Sequence, residues 1–207
     1  MNLALPFVPR MMRAFCALYP ELRVAIELDD RPTDFVRDGI DVALRTTPGA
    51  LKDSSLVSLK LSESPLRLYA SPRYLAARGT PRRAADLEAH DCLIRPTRGR
   101  ARWVLSHGDE QTELQPVGKV AVRSEAVLRD LAIEGLGIAL LSESECRAAL
   151  ASGALVPVLR TLTGGSEALY VLHAGGPYVP SKVRAFVDFV RGQLGEVRRT
   201  RQLAISE

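Results

Sequence analysis

The sequence predicts an α/β fold built on a parallel sheet. Helical and strand patterns alternate along the 207 residues, the order that puts crossover helices between parallel strands. The stretch Asp30–Arg45, DRPTDFVRDGIDVALR, shows the alternation most compactly. Pro32 suits a first helical turn, where its missing N–H would be unpaired anyway. Gly39 suits the left-handed position just past a helix end. Ile40, Val42 and Leu44 then alternate as a strand ending in Arg45. Ligands of open α/β sheets bind at the C-terminal ends of strands, so this reading places Arg45 at the mouth of a ligand site.

The elements follow in order. Met11, Met12, Phe15, Leu18 and Tyr19 recur at helical steps from Pro9 until Pro20 stops the pattern. Val24, Ile26 and Leu28 alternate with polar neighbours as a strand. Leu56–Ala70 reads extended, with a break near Ser62–Pro65. Ser71-Pro72 opens a helix as N-cap and first helical residue, and Gly79 closes it. Asp86–His90 is a helical turn; Cys92–Arg95, Trp103–Leu105 and Lys119–Val122 are short strands, and the polar Ser106–Gln115 is a turn or loop. Ser124 caps a helix that runs to Gly135, followed by a buried strand Gly137–Leu141. Cys146–Leu150 is a helix stopped by Gly153; Leu155–Leu159 and Leu169–His173 are strands. Val183, Phe186, Val187 and Val190 form the apolar stripe of a last helix, and a charged tail follows Gly195.

Composition narrows the classes. The chain is 46% hydrophobic and 25% charged, ordinary for a globular protein. A net charge of +4 can mark nucleic-acid binding, but the arginines are scattered, and the one dense cluster is Arg198, Arg199 and Arg201 near the end. Cys16, Cys92 and Cys146 form no Cys-x-x-Cys pair, which gives no support for a zinc site or a redox motif. Cys16 is assigned to the core side of the first helix. An odd cysteine count fits a reducing compartment. There is no secretion signal and no apolar run of about 20 residues, so a soluble, cytoplasmic protein is expected.

Catalytic and cofactor motifs find no support. Gly135-Leu136-Gly137 follows a helix, whereas a dinucleotide fingerprint opens one. His90, His107 and His173 lack metal-ligand spacing, and no Gly-x-Ser-x-Gly elbow exists. The expectation is therefore no enzyme, no cofactor and no metal. The helix start at Ser124 is different, because helix N-termini bind anions. A carboxylate could sit between it and Arg45 if both face one cleft.

Several segments carry a family resemblance. They include Pro9-x-Met11-x-x-x-Phe15-x-x-x-Tyr19-Pro20, Phe35-Val36-x-x-Gly39-Ile40-Asp41-Val42-Ala43-Leu44-Arg45 and Ala70-Ser71-Pro72-x-Tyr74-Leu75. Gly135-x-Gly137-Ile138-Ala139-Leu140, Gly153-x-Leu155-Val156-Pro157 and Pro180-x-Lys182-Val183-Arg184-Ala185-Phe186 continue the order. Together, over about residues 5 to 192, the chain resembles the effector-binding domain of LysR-type transcriptional regulators. The resemblance implies a type 2 periplasmic-binding-protein-like fold: two α/β lobes joined by two crossover strands, with a small effector between them. Lobe I would be about residues 1–67 and 169–195, and lobe II about 68–168. The crossings would lie near Leu66–Ala70 and Ser166–Tyr170, with 196–207 a charged tail.

By the same resemblance the family's N-terminal winged helix-turn-helix and the first strand of lobe I are absent. The chain would then be a regulatory domain cut from its protein, a reading frame opened too late, or a free-standing or decayed domain. The effector, with organic anions as the candidate class, would touch Arg45 and Thr46 in lobe I, and Asp30 at the same mouth. Ser71, Arg95, Ser124 and Glu125 would serve from lobe II. The family pairs these domains as homodimers; Met11, Met12 and Phe15 could serve that surface, with core packing as the competing assignment. DNA would be met only through the absent helix-turn-helix, and no membrane is implied. A solute-binding protein of a transport system and an enzyme on the same scaffold are the alternatives.

Overall fold

A computed structural model of the chain describes residues 8–27, 34–48, 56–96, 101–176 and 178–203. The chain divides into two compact units: Glu63–Glu167 forms the body of one, and Pro6–Ser62 with Ala168–Glu207 forms the other. The chain passes from one unit to the other inside two strands. These are β2 (Leu56–Ala70), which changes unit at Ser62/Glu63, and β9 (Ser166–Ala174), which changes at Glu167/Ala168.

In the unit built from the two outer stretches of the sequence (the outer unit, the other being the inner), α1 (Val8–Leu18) and α5 (Ser181–Leu203) flank β1 (Ala43–Pro48), β9 and the first half of β2, in the order β1-β9-β2. Val171 points to one face of β9, into a core of Met11, Val183, Val187 and Val190. Ala168, Tyr170 and Leu172 point to the other, against Phe35, Ala43 and Leu56. A strand buried on both faces reads as a continuous apolar run, as β9 does. Phe15 is 3% exposed and meets the Phe186 ring edge-on at 5.1 Å. Met11 and Phe15 are therefore core residues of α1, while Met12 is only partly buried against the same cluster.

Four expectations in this unit are corrected. Cys16 is exposed, because Met11 and Phe15, one helical turn apart, carry the buried stripe and Cys16 lies a step round from it. No strand forms over residues 24–27; Val24 and Ile26 are 44% and 58% exposed, since alternation supplies a face but a strand also needs a ladder partner. The predicted helix after Asp30 falls partly outside the described residues. Its remainder, 34–39, is a single turn closed by the Asp38 N–H on the Asp34 carbonyl, with the Asp34 and Asp38 carboxylates taking the N–H groups of Arg37 and Asp34. Gly39 does adopt the left-handed backbone, at φ +65°. Finally, β1 runs on to Pro48, so Arg45 sits within the strand, with its side chain exposed, and not at its end.

In the inner unit, the second half of β2 pairs antiparallel with β7 (Ile138–Ser142) and β8 (Val156–Val158). β3 (Cys92–Ile94) runs parallel to β7 and to β6 (Val120–Ala121). Alternate residues again feed two faces. Leu68, Ala70, Cys92 and Ile138 pack with Tyr74 of α2 (Pro72–Arg78), Leu87 of the 3-10 turn Ala84–Ala89, and Trp103 and Leu105. Tyr69, Leu93, Ala139 and Leu141 pack with Leu128 and Ala132 of α3 (Glu125–Ile133) and Cys146 and Ala149 of α4 (Glu143–Ala151).

Two further corrections fall here. β2 is unbroken across Ser62–Pro65: its register with β7 begins at Leu66, so pairing with β7 makes no call on the missing proline N–H. The stretch 106–115 is a hairpin, not a loop, with β4 (Trp103–His107) against β5 (Glu110–Leu114) closed by Gly108-Asp109. β5 is almost wholly exposed, so it carries no apolar alternation to announce it.

Candidate functional site

Strand direction sorts the predicted residues of the inner unit. β3, β6 and β7 are parallel, so their C-terminal ends lie together at one edge. Arg95 follows β3 by one residue, Ser124 and Glu125 follow β6, and Ser142 ends β7. Ser71 does not join them. β2 runs the opposite way, pairing Leu66 with Ser142 and Tyr69 with Ala139, so Ser71 stands at the other edge, beside Gly135. It is 2% exposed, and its hydroxyl accepts the Tyr74 N–H as the cap of α2.

The residues that do converge form an ionic cluster. Arg95 donates to Glu167 Oε1 at 2.9 Å, and its Nη1 lies 3.9 Å from Glu125 Oε2. Both carboxyl side chains are 5% exposed, whereas that of Arg95 is 32% exposed. Glu125 also accepts the Ser142 backbone N–H, which ties the start of α3 to the end of β7. Ser124 caps α3, its Oγ accepting the Val127 N–H at 3.4 Å. Beyond Glu125, Arg129 of α3 pairs with Glu145 of α4.

Burial sets the charge states. It pushes the Glu167 carboxyl above the usual range; Arg95 opposes the shift and the adjacent Glu125 carboxylate adds to it. Burial likewise pushes Glu145 up to about 7, against the pull of Arg129. At the opposite edge, Tyr74 Oη accepts the Asp91 N–H at 2.9 Å and lies 3.1 Å from His90 Nδ1. Burial lowers the His90 pKa, which favours the neutral imidazole, and its hydrogen bond with Tyr74 supports the fold.

Among the remaining predicted residues, Arg45 and Thr46 belong to β1 of the outer unit, with Arg45 exposed and Thr46 partly buried. Asp30 lies outside the described residues. A surface recess of about 340 Å³ lies elsewhere on the inner unit, among Arg67, Tyr69, Glu143 and Arg160. None of the predicted residues line it; we take the strand-end cluster as the site because it joins buried charge to the ligand end of the sheet. Sequence reasoning missed Glu167 and Ser142. Glu167 is an acidic residue at the head of the apolar run Ala168–Leu172, a signal that an acid is being buried with a strand. Among the described residues, no helix is long and apolar enough to cross a membrane.

Comparison with known proteins agrees with the fold. The LysR substrate binding domain family matches residues 1–195. The probable HTH-type transcriptional regulator LtrA of Klebsiella pneumoniae is 36% identical over 188 residues, covering 87% of this chain and 59% of LtrA. The chain thus spans about three-fifths of the length of that relative. The full-length structure of the Vibrio cholerae virulence activator AphB, a member of the LTTR protein family, matches at TM-score 0.79 and 30% identity, over 93% of this chain and 65% of AphB. The regulatory domain of CrgA, a LysR-type transcriptional regulator from Neisseria meningitidis, matches at TM-score 0.78 and 28% identity, over 92% of this chain and 95% of that domain.

Proposed function

The chain belongs to the LysR substrate binding domain family, and from that premise we propose that it is the effector-sensing part of a LysR-type transcriptional regulator. A small effector is the signal this domain senses, and its two lobes are taken as about residues 1–67 with 169–195 (lobe I) and about residues 68–168 (lobe II). The observation that carries the site is the convergence of Arg95, Ser124 and Glu125 at the C-terminal ends of the parallel strands β3 and β6, the edge where open α/β sheets hold ligands. Arg95 offers a partly exposed guanidinium, and the nine-residue helix α3 turns its N-terminal N–H groups toward the same edge. That pairing suits an organic anion. Arg45 and Thr46 serve from lobe I.

An effector changes the regulator only by binding one arrangement of it more tightly than another. In the intact protein the output is DNA binding through a helix-turn-helix, in a cytoplasmic homodimer. Transport and catalysis are not favoured, since the relatives named above are transcriptional regulators.

A thermal-shift screen of small carboxylates against the 207-residue chain tests this reading. The hit should bind at least tenfold more weakly to Arg45→Ala and to Arg95→Ala by calorimetry. Affinity unchanged in both variants, each still folded, refutes the site.

A further inference from the structure

The ionic cluster at the strand ends holds more buried acid than buried base. The Glu125, Glu145 and Glu167 side chains are 5%, 10% and 5% exposed, and Arg95 and Arg129, at 32% and 24%, pair with them. A buried carboxylate without a full countercharge takes up a proton instead. Glu125 accepts the Ser142 N–H. Glu145 shares Arg129 with the exposed Asp130, and burial pushes its carboxyl up to about 7 in its own right. Glu167 shares Arg95 with Glu125.

The charged groups facing Glu167 are therefore Arg95 from the end of β3, Glu125 from α3 and, further off, Glu145 from α4. Its neighbour Ser166 hydrogen-bonds Glu63 of β2. Glu167 is also the last residue of its unit, next to the point where β9 enters the other.

We infer that Glu167 is a proton-binding site that decides whether Arg95 is available to an anion. With Glu167 neutral, one carboxylate faces the guanidinium, which keeps attraction to spare for an effector. With Glu167 ionised, two carboxylates neutralise it and repel an approaching anion. Binding an anion at Arg95 thus draws one proton onto Glu167. The upward shift that burial imposes on this carboxyl agrees. This inference rests on the reading of Arg95 as an effector contact.

The test uses the 207-residue chain and inorganic sulfate, whose charge stays fixed over the range examined. First, the Glu167 side-chain carbon resonance is titrated by NMR; it should move well above the ordinary carboxylate range. Second, the Arg95 Nε–H resonance is followed against sulfate at pH 5.5 and pH 8 at constant ionic strength. Half-saturation should rise with pH by up to about tenfold per unit above the Glu167 titration. Glu167→Gln, which copies the protonated form, should bind sulfate equally at both pH values. A Glu167 that titrates normally while sulfate still binds overturns the proton switch alone. No Arg95 response at either pH overturns the effector contact and the switch with it.

Discussion

Replacing Glu145 with glutamine removes one ion-pair partner and should nevertheless stabilise the protein above neutral pH. Glu145 is 10% exposed and pairs with Arg129, yet burial outweighs that pairing and moves its carboxyl from an ordinary 4.5 up to about 7. At about 1.4 kcal/mol per pH unit, holding the ionised form inside the fold costs about 3 kcal/mol relative to the unfolded chain. The sign follows from proton binding. Between pH 4.5 and about 7 the folded state holds more protons than the unfolded state, so stability is full at the acid end and falls as pH rises. Glutamine resembles the protonated carboxyl and has no such loss. The stability difference between variant and wild type should therefore shift by about 3 kcal/mol in favour of Glu145→Gln, mostly between pH 5 and pH 8. Urea denaturation followed by far-UV circular dichroism at those two pH values measures it. A difference that stays constant with pH, or that grows against the variant at pH 8, would show that the Arg129 pair outweighs burial and would refute the reasoning.

Two predictions concern the frame that carries the site. Tyr74→Phe strands the part-buried Asp91 N–H and the buried His90 Nδ1 and should cost about 2 kcal/mol in urea denaturation; a loss under about 0.5 kcal/mol would remove that network from the account. Gly137→Ala would set a Cβ 2.2 Å from the Asp91 carbonyl oxygen, where β7 begins its ladder with β3. It should lower stability by about 2–3 kcal/mol in thermal unfolding. Gly192→Ala, with open space in α5, should be neutral or gain up to about 1 kcal/mol, and equal losses in both variants would refute the steric argument.

Local signals carried most of the fold. Ser71-Pro72 and Ser124 cap the helices they were expected to cap, because a cap depends on a few neighbouring residues and one hydroxyl. Ile138–Leu141 of the run Gly137–Leu141, and all of Leu169–His173, fall within β7 and β9, being too apolar for anything but a core. What failed were patterns whose outcome depends on a distant neighbour. Val24 and Ile26 alternate as a strand should, but no strand forms there. Conversely β5 is polar and exposed, yet it pairs along its whole length with β4; its only local announcement was the two-residue turn Gly108-Asp109.

The site was half legible for a related reason. Ser71 and Ser124 give the same local signal, a serine cap between a strand and a helix, and both were placed among the effector contacts. They lie at opposite edges of one sheet because β2 runs antiparallel to β7 while β3 and β6 run parallel to it. Strand direction is a property of pairing, so alternation of helices and strands, which suggested parallel strands throughout, could not separate the two serines. Glu167 was hidden by distance: 72 positions separate it from Arg95 in the chain. Only the assembled sheet shows that the arginine expected to meet an anion is already held by two carboxyls. That changes the chemistry expected of Arg95. A free guanidinium binds anions at any pH below its own titration, whereas one paired with a buried acid that takes up a proton binds them more tightly as that acid is protonated.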